Sequence, residues 1–298
     1  MIIENAGKVT DRISLLGKKE SNVYLLMGED EYAVIGGGMI HIAPDVVKQL
    51  ENFAIDEKKI TRVIILHAHF DHCGLIPFFK KRCPWAKVTA SSRAKELLST
   101  PKVSESIKAM NQGVLAMYGQ EKNAAEMGFE FTGIEVEEPI SDGDILHCGN
   151  LTMDIIDVPG HSSCSIAVYV PEEKAMFASD AGGIPSGNHI FAAANSDFDK
   201  FQTSLEKMDA YDIEVHLAEH GGAFTGKDGR DFLKRSIEAA GKTRQMIENS
   251  LKRTMDEKKT TQEITDVFLA GGSGQFLPKD VLSIVVGQMT RFIARNLT

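Results

Sequence analysis

The sequence predicts an α/β protein in the form of a four-layer αβ/βα sandwich with a C-terminal α-helical extension. Residues 63–66 form an unbroken apolar run, which is typical of a strand buried on both faces. Residues 44–53 carry apolar side chains at helical spacing, so an amphipathic helix precedes that strand. Strand signals vanish beyond Gly229. Alternating buried strands and amphipathic helices are typical of layered α/β folds, and the last part of the chain supplies the extension.

The other elements follow from turn residues and from the period of the apolar positions. They are predicted as a β-meander at 13–16, 22–26 and 32–35, a helix at 74–81, a strand at 87–90, a helix at 104–120, strands at 145–147, 151–158, 165–170 and 175–178, and helices at 232–252, 261–270 and 279–296. The chain is therefore expected to divide into a core at 1–228 and a helical cap at 229–298.

Composition and charge restrict the class of protein. The chain has 298 residues, of which 43% are hydrophobic and 25% are charged, and these are ordinary globular values. The net charge is −9, which is the wrong sign for a protein that binds a nucleic-acid backbone. We therefore expect no nucleic-acid partner.

The sequence also indicates where in the cell the protein is located. It begins without a basic segment followed by a long apolar one, and no 18 apolar residues run together. Its four cysteines are scattered without a CxxC pair, which is the pattern of reduced thiols. These features predict a cytoplasmic protein with no membrane partner. They leave its oligomeric state open.

A cluster of ligand-type residues directly follows the strand at 63–66. It contains His67, His69, Asp71 and His72, three of the nine histidines beside a carboxylate. In an extended segment the first three project to one side, whereas His72 must point elsewhere. One loop can therefore offer two sets of ligands, as two adjacent metal ions would require.

Three more residues of ligand type lie on loops just after predicted strands. His161 follows the strand at 151–158, Asp180 follows the strand at 175–178, and His220 precedes a pair of glycines at the end of a last short strand. A rigid sheet can aim such residues while the loop leaves them accessible. They are candidates for the same site as the first cluster.

The pattern His67-x-His69-x-Asp71-His72 resembles the HxHxDH signature of the metallo-β-lactamase superfamily, and the segments around His161, Asp180 and His220 match later motifs of that family. The stretches "HCGLIPFF" and "GGSGQFLP" further resemble its thioesterase-like branch, to which the quinolone signal response protein belongs.

The resemblance implies two divalent transition metal ions per chain. The implied ligands are His67, His69 and His161 for the first ion, Asp71, His72 and His220 for the second, and Asp180 as the bridge. Nitrogen and oxygen ligands of this kind suit zinc, iron or manganese alike.

Two departures from the family pattern stand out. Relatives commonly carry an aspartate at the end of the third strand, where this chain has glycine in the run 36–38. The support expected from that carboxylate is therefore missing or supplied elsewhere. Relatives also usually carry Pro-Gly before the last histidine, where this chain has Ala218 and Glu219. Glu219 either hydrogen-bonds a ligand or lies in solvent, and solvent is the favoured interpretation.

The implied activity is hydrolysis of a thioester or related carboxylic ester of a small-molecule acyl substrate by metal-bound hydroxide. Asp71 is the candidate for proton transfer. We expect Phe276, Leu277 and Met110 to help shape the acyl pocket, because the metal ions alone cannot distinguish acyl groups.

Three alternatives remain open at this point. The first is a phosphodiesterase or nuclease of the same superfamily, which the acidic charge disfavours. The second is a signalling or regulatory protein that uses the scaffold as a binding surface. The third is a one-metal sulfur dioxygenase, which the retention of all the ligand-type residues disfavours.

Overall fold

The computed structural model of the chain describes residues 1–126, 131–187, 189–271 and 279–297. Its strands, in chain order, are β1 Ile2–Ile3, β2 Gly7–Lys8, β3 Ile13–Lys18, β4 Ser21–Met27, β5 Tyr32–Ile35, β6 Ile60–Ile65, β7 Lys87–Ser91, β8 Glu138–Ile140, β9 Ile145–Cys148, β10 Leu151–Asp157, β11 Ile166–Val170, β12 Ala175–Phe177, β13 Ile184–Ser186, β14 His189–Phe191, β15 Val215–Leu217 and β16 Ala223–Thr225.

Helices cover the outer faces of the strands and form the C-terminal part of the chain. In chain order they are α1 Ala43–Asn52, α2 Ile76–Arg82, α3 Ser92–Leu98, α4 Pro101–Met117, α5 Glu121–Glu126, α6 Phe198–Asp209, α7 Lys227–Arg230, α8 Phe232–Thr254, α9 Glu257–Ala270 and α10 Lys279–Asn296.

Two seven-stranded sheets form the centre of the molecule. The first has the order β2-β3-β4-β5-β6-β7-β8, and the second has the order β1-β16-β15-β12-β11-β10-β9. In the first sheet the antiparallel meander β3-β4-β5 continues into β6 and β7, which run parallel to β5. The helix α1 makes the crossover from β5 to β6, as the sequence pattern predicts.

The layers are held together by three apolar clusters. Inner faces of both sheets share one cluster, in which Tyr24 of β4 meets Phe177 of β12 edge to face with ring centroids 5.7 Å apart. A second cluster joins the first sheet to α1 and α2, and a third joins the second sheet to α6, α8 and α10. The order of layers is therefore helix, sheet, sheet, helix, and the predicted fold class is confirmed.

The C-terminal helices share a core with the second sheet. Leu233 and Ile247 of α8 and Met289 of α10 lie in the same apolar cluster as Phe201 of α6 and Met176 of β12. The helical extension is thus packed onto the sandwich along its length. The division at residue 228 stays a prediction. Among the helices that the structure describes, none combines the length and apolar character that a membrane span requires.

The helices α3, α5, α6 and α7 were not anticipated from the sequence, and α6 is the longest of them. The helix α6 begins after Asp197, whose side chain accepts a hydrogen bond from the backbone N–H of Lys200 at 2.9 Å. Phe198, Phe201 and Leu205 are buried on one face. An N-cap aspartate before apolar residues at helical spacing was the signal that could have identified it.

A histidine lies in the apolar core outside the predicted ligand set. His216 on β15 is fully buried, and neither of its ring nitrogens has a hydrogen-bond partner among the described residues. Its ring stacks on Phe232 with centroids 3.8 Å apart. Burial lowers the pKa of His216 to about 3, so the folded protein holds the ring neutral.

We expect His216→Leu to reduce the acid sensitivity of folding. In the unfolded chain the histidine binds a proton below about pH 6.5, whereas the folded chain does not until about pH 3. Stability is therefore lost as the pH falls through this interval. Urea unfolding of the metal-free proteins at pH 7 and pH 4 should show a smaller loss for His216→Leu. The exposed His147→Leu should behave like the unsubstituted protein, and equal losses in all three would contradict the assignment.

Candidate metal centre

The predicted ligand-type residues lie on four loops that each follow a strand of one of the central sheets. His67 comes two residues after β6, and His161 comes four residues after β10. Asp180 follows β12, and His220 follows β15, which is the parallel neighbour of β12. Because parallel neighbours end at the same edge of a sheet, the loops after β12 and β15 meet there. The structure brings all seven predicted residues together.

The first group consists of His67, His69 and His161. Nδ1 of His69 lies 3.1 Å from Nε2 of His67 and 3.0 Å from Nε2 of His161. His67 and His161 are buried, and His69 is partly buried. Three imidazole nitrogens that converge in this way suit a single metal ion as their common partner.

The second group consists of Asp71, His72 and His220. Nε2 of His72 lies 3.1 Å from Nε2 of His220 and 3.4 Å from Oδ2 of Asp71. Oδ2 of Asp71 is in turn 3.6 Å from Nε2 of His220. This group also presents its atoms closely enough to share one ion. The alternation in the sequence separates His72 from His69, as the structure does, but it places Asp71 with His67 and His69, whereas the structure groups Asp71 with His72 and His220.

Asp180 connects the two groups. Its Oδ2 lies 3.2 Å from Nε2 of His72 and 3.5 Å from Nε2 of His161, and its Oδ1 lies 3.7 Å from Nε2 of His220. The side chain is 6% exposed. One buried carboxylate thus faces members of both groups, which is the placement a bridging ligand requires.

The protonation states of the two groups differ. Burial lowers the pKa of His67 well below its usual value and, with the neighbouring His161, lowers the pKa of His69 to about 4. Burial also lowers the pKa of His161. The first group is therefore neutral at pH 7, which is the state that binds a metal ion.

In the second group, nearby carboxylates determine the pKa values of the histidines. Burial alone would lower the pKa of His72, but Asp71, Asp180 and Glu219 together outweigh burial and hold that pKa well above its usual value. Burial alone would also lower the pKa of His220, but Asp180 and Asp71 outweigh burial and raise that pKa. Without a cation these histidines hold protons, and a bound metal ion would have to displace them.

Hydrogen bonds on the far side of the rings fix the orientation of two ligands. Nδ1 of His161 donates to the carbonyl of Ala193 at 2.7 Å, and Nδ1 of His220 donates to the carbonyl of Glu20 at 2.8 Å. A carbonyl oxygen only accepts, so in the neutral ring Nε2 carries the free lone pair. That lone pair points into the site in both cases.

The expectation that Glu219 lies in solvent was wrong. Its side chain is buried, with Oε2 2.9 Å from Nδ1 of His72, and it accepts a short hydrogen bond from Ser179. The loop after β15 turns this side chain inward beneath the site, and Gly36 leaves room for it. Local sequence pattern does not reveal such a contact, because the partners come from distant segments.

The predicted pocket residues are placed only in part. Met110 lies on α4 and is half exposed. The adjacent Asn111 is buried and donates from Nδ2 to the carbonyl of Phe70 at 3.5 Å, so α4 packs against the loop that carries Asp71. Phe276 and Leu277 lie outside the described residues. The pocket role of all three stays a prediction.

Comparison with known proteins agrees with this geometry. A sequence model of the metallo-beta-lactamase superfamily matches residues 16–220, more than half of the chain. The chain is 24% identical over 170 residues to acyl-coenzyme A thioesterase MBLAC2 of Bos taurus, which is 54% of this chain and 57% of that protein. It is 21% identical over 233 residues to atrochrysone carboxyl ACP thioesterase dmxR1 of a Cryptosporiopsis species, which is 77% of this chain and 56% of that protein. The chain thus spans little more than half the length of these relatives.

A solved structure extends the likeness to nearly the whole chain. Metallo-beta-lactamase family protein TTHA1429 of Thermus thermophilus superposes with a TM-score of 0.66 at 17% identity, and the match covers 97% of this chain and 95% of that one. At this identity the likeness concerns the fold alone. Together with the family match, it confirms the resemblance read from the histidine and aspartate motifs: the chain belongs to the metallo-beta-lactamase superfamily.

Proposed function

We propose that the chain is a dinuclear metal-dependent hydrolase that cleaves a thioester or related carboxylic ester of a small-molecule acyl substrate. The observation that carries this proposal is the position of Asp180, which faces His161 of one ligand group and His72 and His220 of the other. A carboxylate placed between two such groups is suited to a pair of metal ions rather than to one.

The residues present fit such a pair. Imidazole nitrogens approach one another at 3.0–3.1 Å, and only a shared cation or proton can make such contacts favourable. His67, His69 and His161 would hold one ion, Asp71, His72 and His220 would hold the other, and Asp180 would bridge them. The nitrogen and oxygen donors suit zinc, iron or manganese. When bound, the metal pair would polarise a carbonyl group and make water a nucleophile near neutral pH.

The chain itself supplies orientation and proton transfer. Asp71 has the most exposed carboxylate of the site, at 22%. Burial alone would raise the pKa of Asp71, but His72 and His220 outweigh burial and hold that pKa well below its usual range. The low pKa keeps this carboxylate charged, which suits a metal ligand but makes it a weak base, so the role rests on its position at the open side of the site. From that position we assign Asp71 the transfer of a proton from the attacking water to the leaving group.

A cysteine nucleophile is not needed for this reaction. Cys73 is next to His72 in sequence, but it is fully buried, and its Sγ donates to the carbonyl of His69 at 3.0 Å. Burial raises the pKa of the Cys73 thiol. Because the thiolate is the reactive form, this residue is a packing group rather than a nucleophile.

The choice of an acyl substrate is supported by the thioesterase names of the two relatives. A cleft of about 330 Å³ is a candidate for the acyl group, with a mixed lining in which Phe191, Met246 and Phe268 lie beside Arg235, Glu238 and Lys242. Its link to the site is through the chain, since Phe191 precedes by two residues Ala193, whose carbonyl holds His161. The acidic net charge of −9 argues against a nucleic-acid substrate.

A substrate panel on protein of known metal content tests the proposal. We expect acyl-coenzyme A thioesters to be hydrolysed with a kcat/KM at least about tenfold above that of a lactone or an aryl phosphodiester, a difference of about 1.4 kcal/mol in the barrier. A preference for the phosphodiester would favour the nuclease alternative. Protein that carries two metal ions per chain and hydrolyses none of the three classes would leave a regulatory role as the better explanation.

A further inference from the structure

We infer that Glu219 is a positioning residue that orients a histidine of each ligand group through one buried carboxylate. This inference rests on the proposed metal site, and it concerns the side of the histidines that faces away from the metal ions. It assigns a role to three residues outside the predicted ligand set, namely Glu219, Ser179 and Gly36.

The contacts of the Glu219 carboxylate reach both groups. Its Oε2 lies 2.9 Å from Nδ1 of His72 and accepts a hydrogen bond from Oγ of Ser179. Oγ of Ser179 also lies 3.2 Å from Nδ1 of His67. Because the serine proton goes to the carboxylate, its oxygen is free to accept the Nδ1 proton of His67. Glu219 therefore acts directly on His72 and through Ser179 on His67.

This pattern selects the ring form that each ligand needs. A carboxylate 2.9 Å from Nδ1 of His72 and a hydroxyl oxygen 3.2 Å from Nδ1 of His67 favour the ring form that is protonated at Nδ1. Nε2 of each neutral ring then carries the lone pair, and Nε2 of His67 faces His69 while Nε2 of His72 faces His220. A carboxylate that accepts from the far nitrogen holds the ring in place and strengthens the near nitrogen as a ligand. One acidic side chain would do this for both ions.

The backbone around Ser179 is shaped for this contact. Ser179 has a φ of 49°, a left-handed conformation that residues other than glycine rarely adopt. It directly precedes Asp180, the residue between the two groups. Strained conformations of this kind persist where the surrounding contacts determine them. Here those contacts are the hydrogen bonds to Glu219 and His67.

Gly36 makes the position of Glu219 available. It has a φ of 89°, and a Cβ atom at residue 36 would lie against Oε1 of Glu219, closer than van der Waals contact. A side chain at residue 36 would compete with the Glu219 carboxylate for this space, and its backbone would be strained at this φ, so the space is filled from the β15 loop. The two departures from the family pattern, glycine at residue 36 and glutamate at residue 219, thus meet at one point and compensate each other.

A structural role alone does not account for the arrangement. Burying a carboxylate is costly unless it is paired. The side-chain partners of Glu219 among the described residues are His72 and Ser179, and its Oε1 has no hydrogen-bond partner there. Of its two side-chain partners, His72 is a predicted ligand and Ser179 contacts another, His67, so both contacts of the carboxylate lead to the site.

Metal affinity is the readout that separates the two roles. We expect Glu219→Gln to lower the affinity for both zinc ions by about 10- to 100-fold in a chelator competition. The reason is that His72 loses the charge beside its Nδ1, and Ser179, which contacts His67, loses its charged acceptor. Ser179→Ala should weaken only the ion held with His67. The matched control is Glu214→Gln, whose partly exposed carboxylate pairs with Arg230 and which should bind as the unsubstituted protein does. Melting temperatures of the metal-free proteins are measured in parallel.

The outcomes are distinct. Unchanged zinc affinity in Glu219→Gln and Ser179→Ala would overturn the inference, as would a lower metal-free melting temperature with unchanged affinity, which would mark a structural role. A third zinc ion that is lost in Glu219→Gln would also overturn it, because Glu219 would then be a ligand together with His67 and His72. If the unsubstituted protein binds no metal, the proposed function itself fails. If it binds two ions and hydrolyses thioesters, only the role of Glu219 is in question.

Discussion

Asp180→Ala should leave close to one metal ion per chain instead of two and should lower kcat/KM by about 10³-fold. The carboxylate faces Nε2 of His72, His161 and His220 at 3.2–3.7 Å, so its removal deprives both ions of their shared ligand. Loss of a metal that stabilises transition-state charge costs several kcal/mol, and about 4 kcal/mol corresponds to this factor. Elemental analysis and steady-state kinetics on the same preparation measure the two effects.

The control for this prediction is Asp212→Ala, which removes an exposed carboxylate that pairs with Lys174 on the surface. We expect it to keep both ions and full activity, because exposed ion pairs contribute little. Two ions per chain and an unchanged rate in Asp180→Ala would contradict the bridging role.

Acidification should remove the two ions in sequence, with the ion of Asp71, His72 and His220 leaving first. The pKa values of His72 and His220 are raised in the metal-free protein, so protons compete with the metal ion there at the higher pH. The pKa values of His67 and His161 are lowered, and that of His69 is lowered to about 4, so the first group stays neutral into acid. Activity should fall when the ion of Asp71, His72 and His220 is lost.

Equilibrium dialysis at a fixed free zinc concentration from pH 8 to pH 4, with kcat/KM measured in the same buffers, tests this order. The expected result is an intermediate range of pH in which one ion remains and activity is low. Simultaneous loss of both ions would contradict the difference between the groups. A rate that stays flat from neutral pH into acid would contradict hydrolysis that depends on both ions.

The fold was largely accessible from the sequence because its signals are local. The meander β3-β4-β5, the crossover helix α1 and the buried strand β6 follow from apolar periodicity and turn residues within short windows. The pairing of β1 with β16 joins Ile2 to Phe224, far away in the sequence, and it could not be predicted because no local pattern specifies such a partner.

The candidate site, like the fold, could be predicted only in part from the sequence. The sequence by itself determined which residues are offered as ligands, because each follows a strand. The alternation within 67–72 separates His72 from His67 and His69, but only the structure groups Asp71 with His72. Only the tertiary structure decided which residues contact the far side of the histidine rings. Whether Glu219 points to solvent or to His72 depends on the space left at Gly36 and on the backbone conformation of Ser179. These residues belong to different loops, and their contacts exist only after the two sheets have packed against each other.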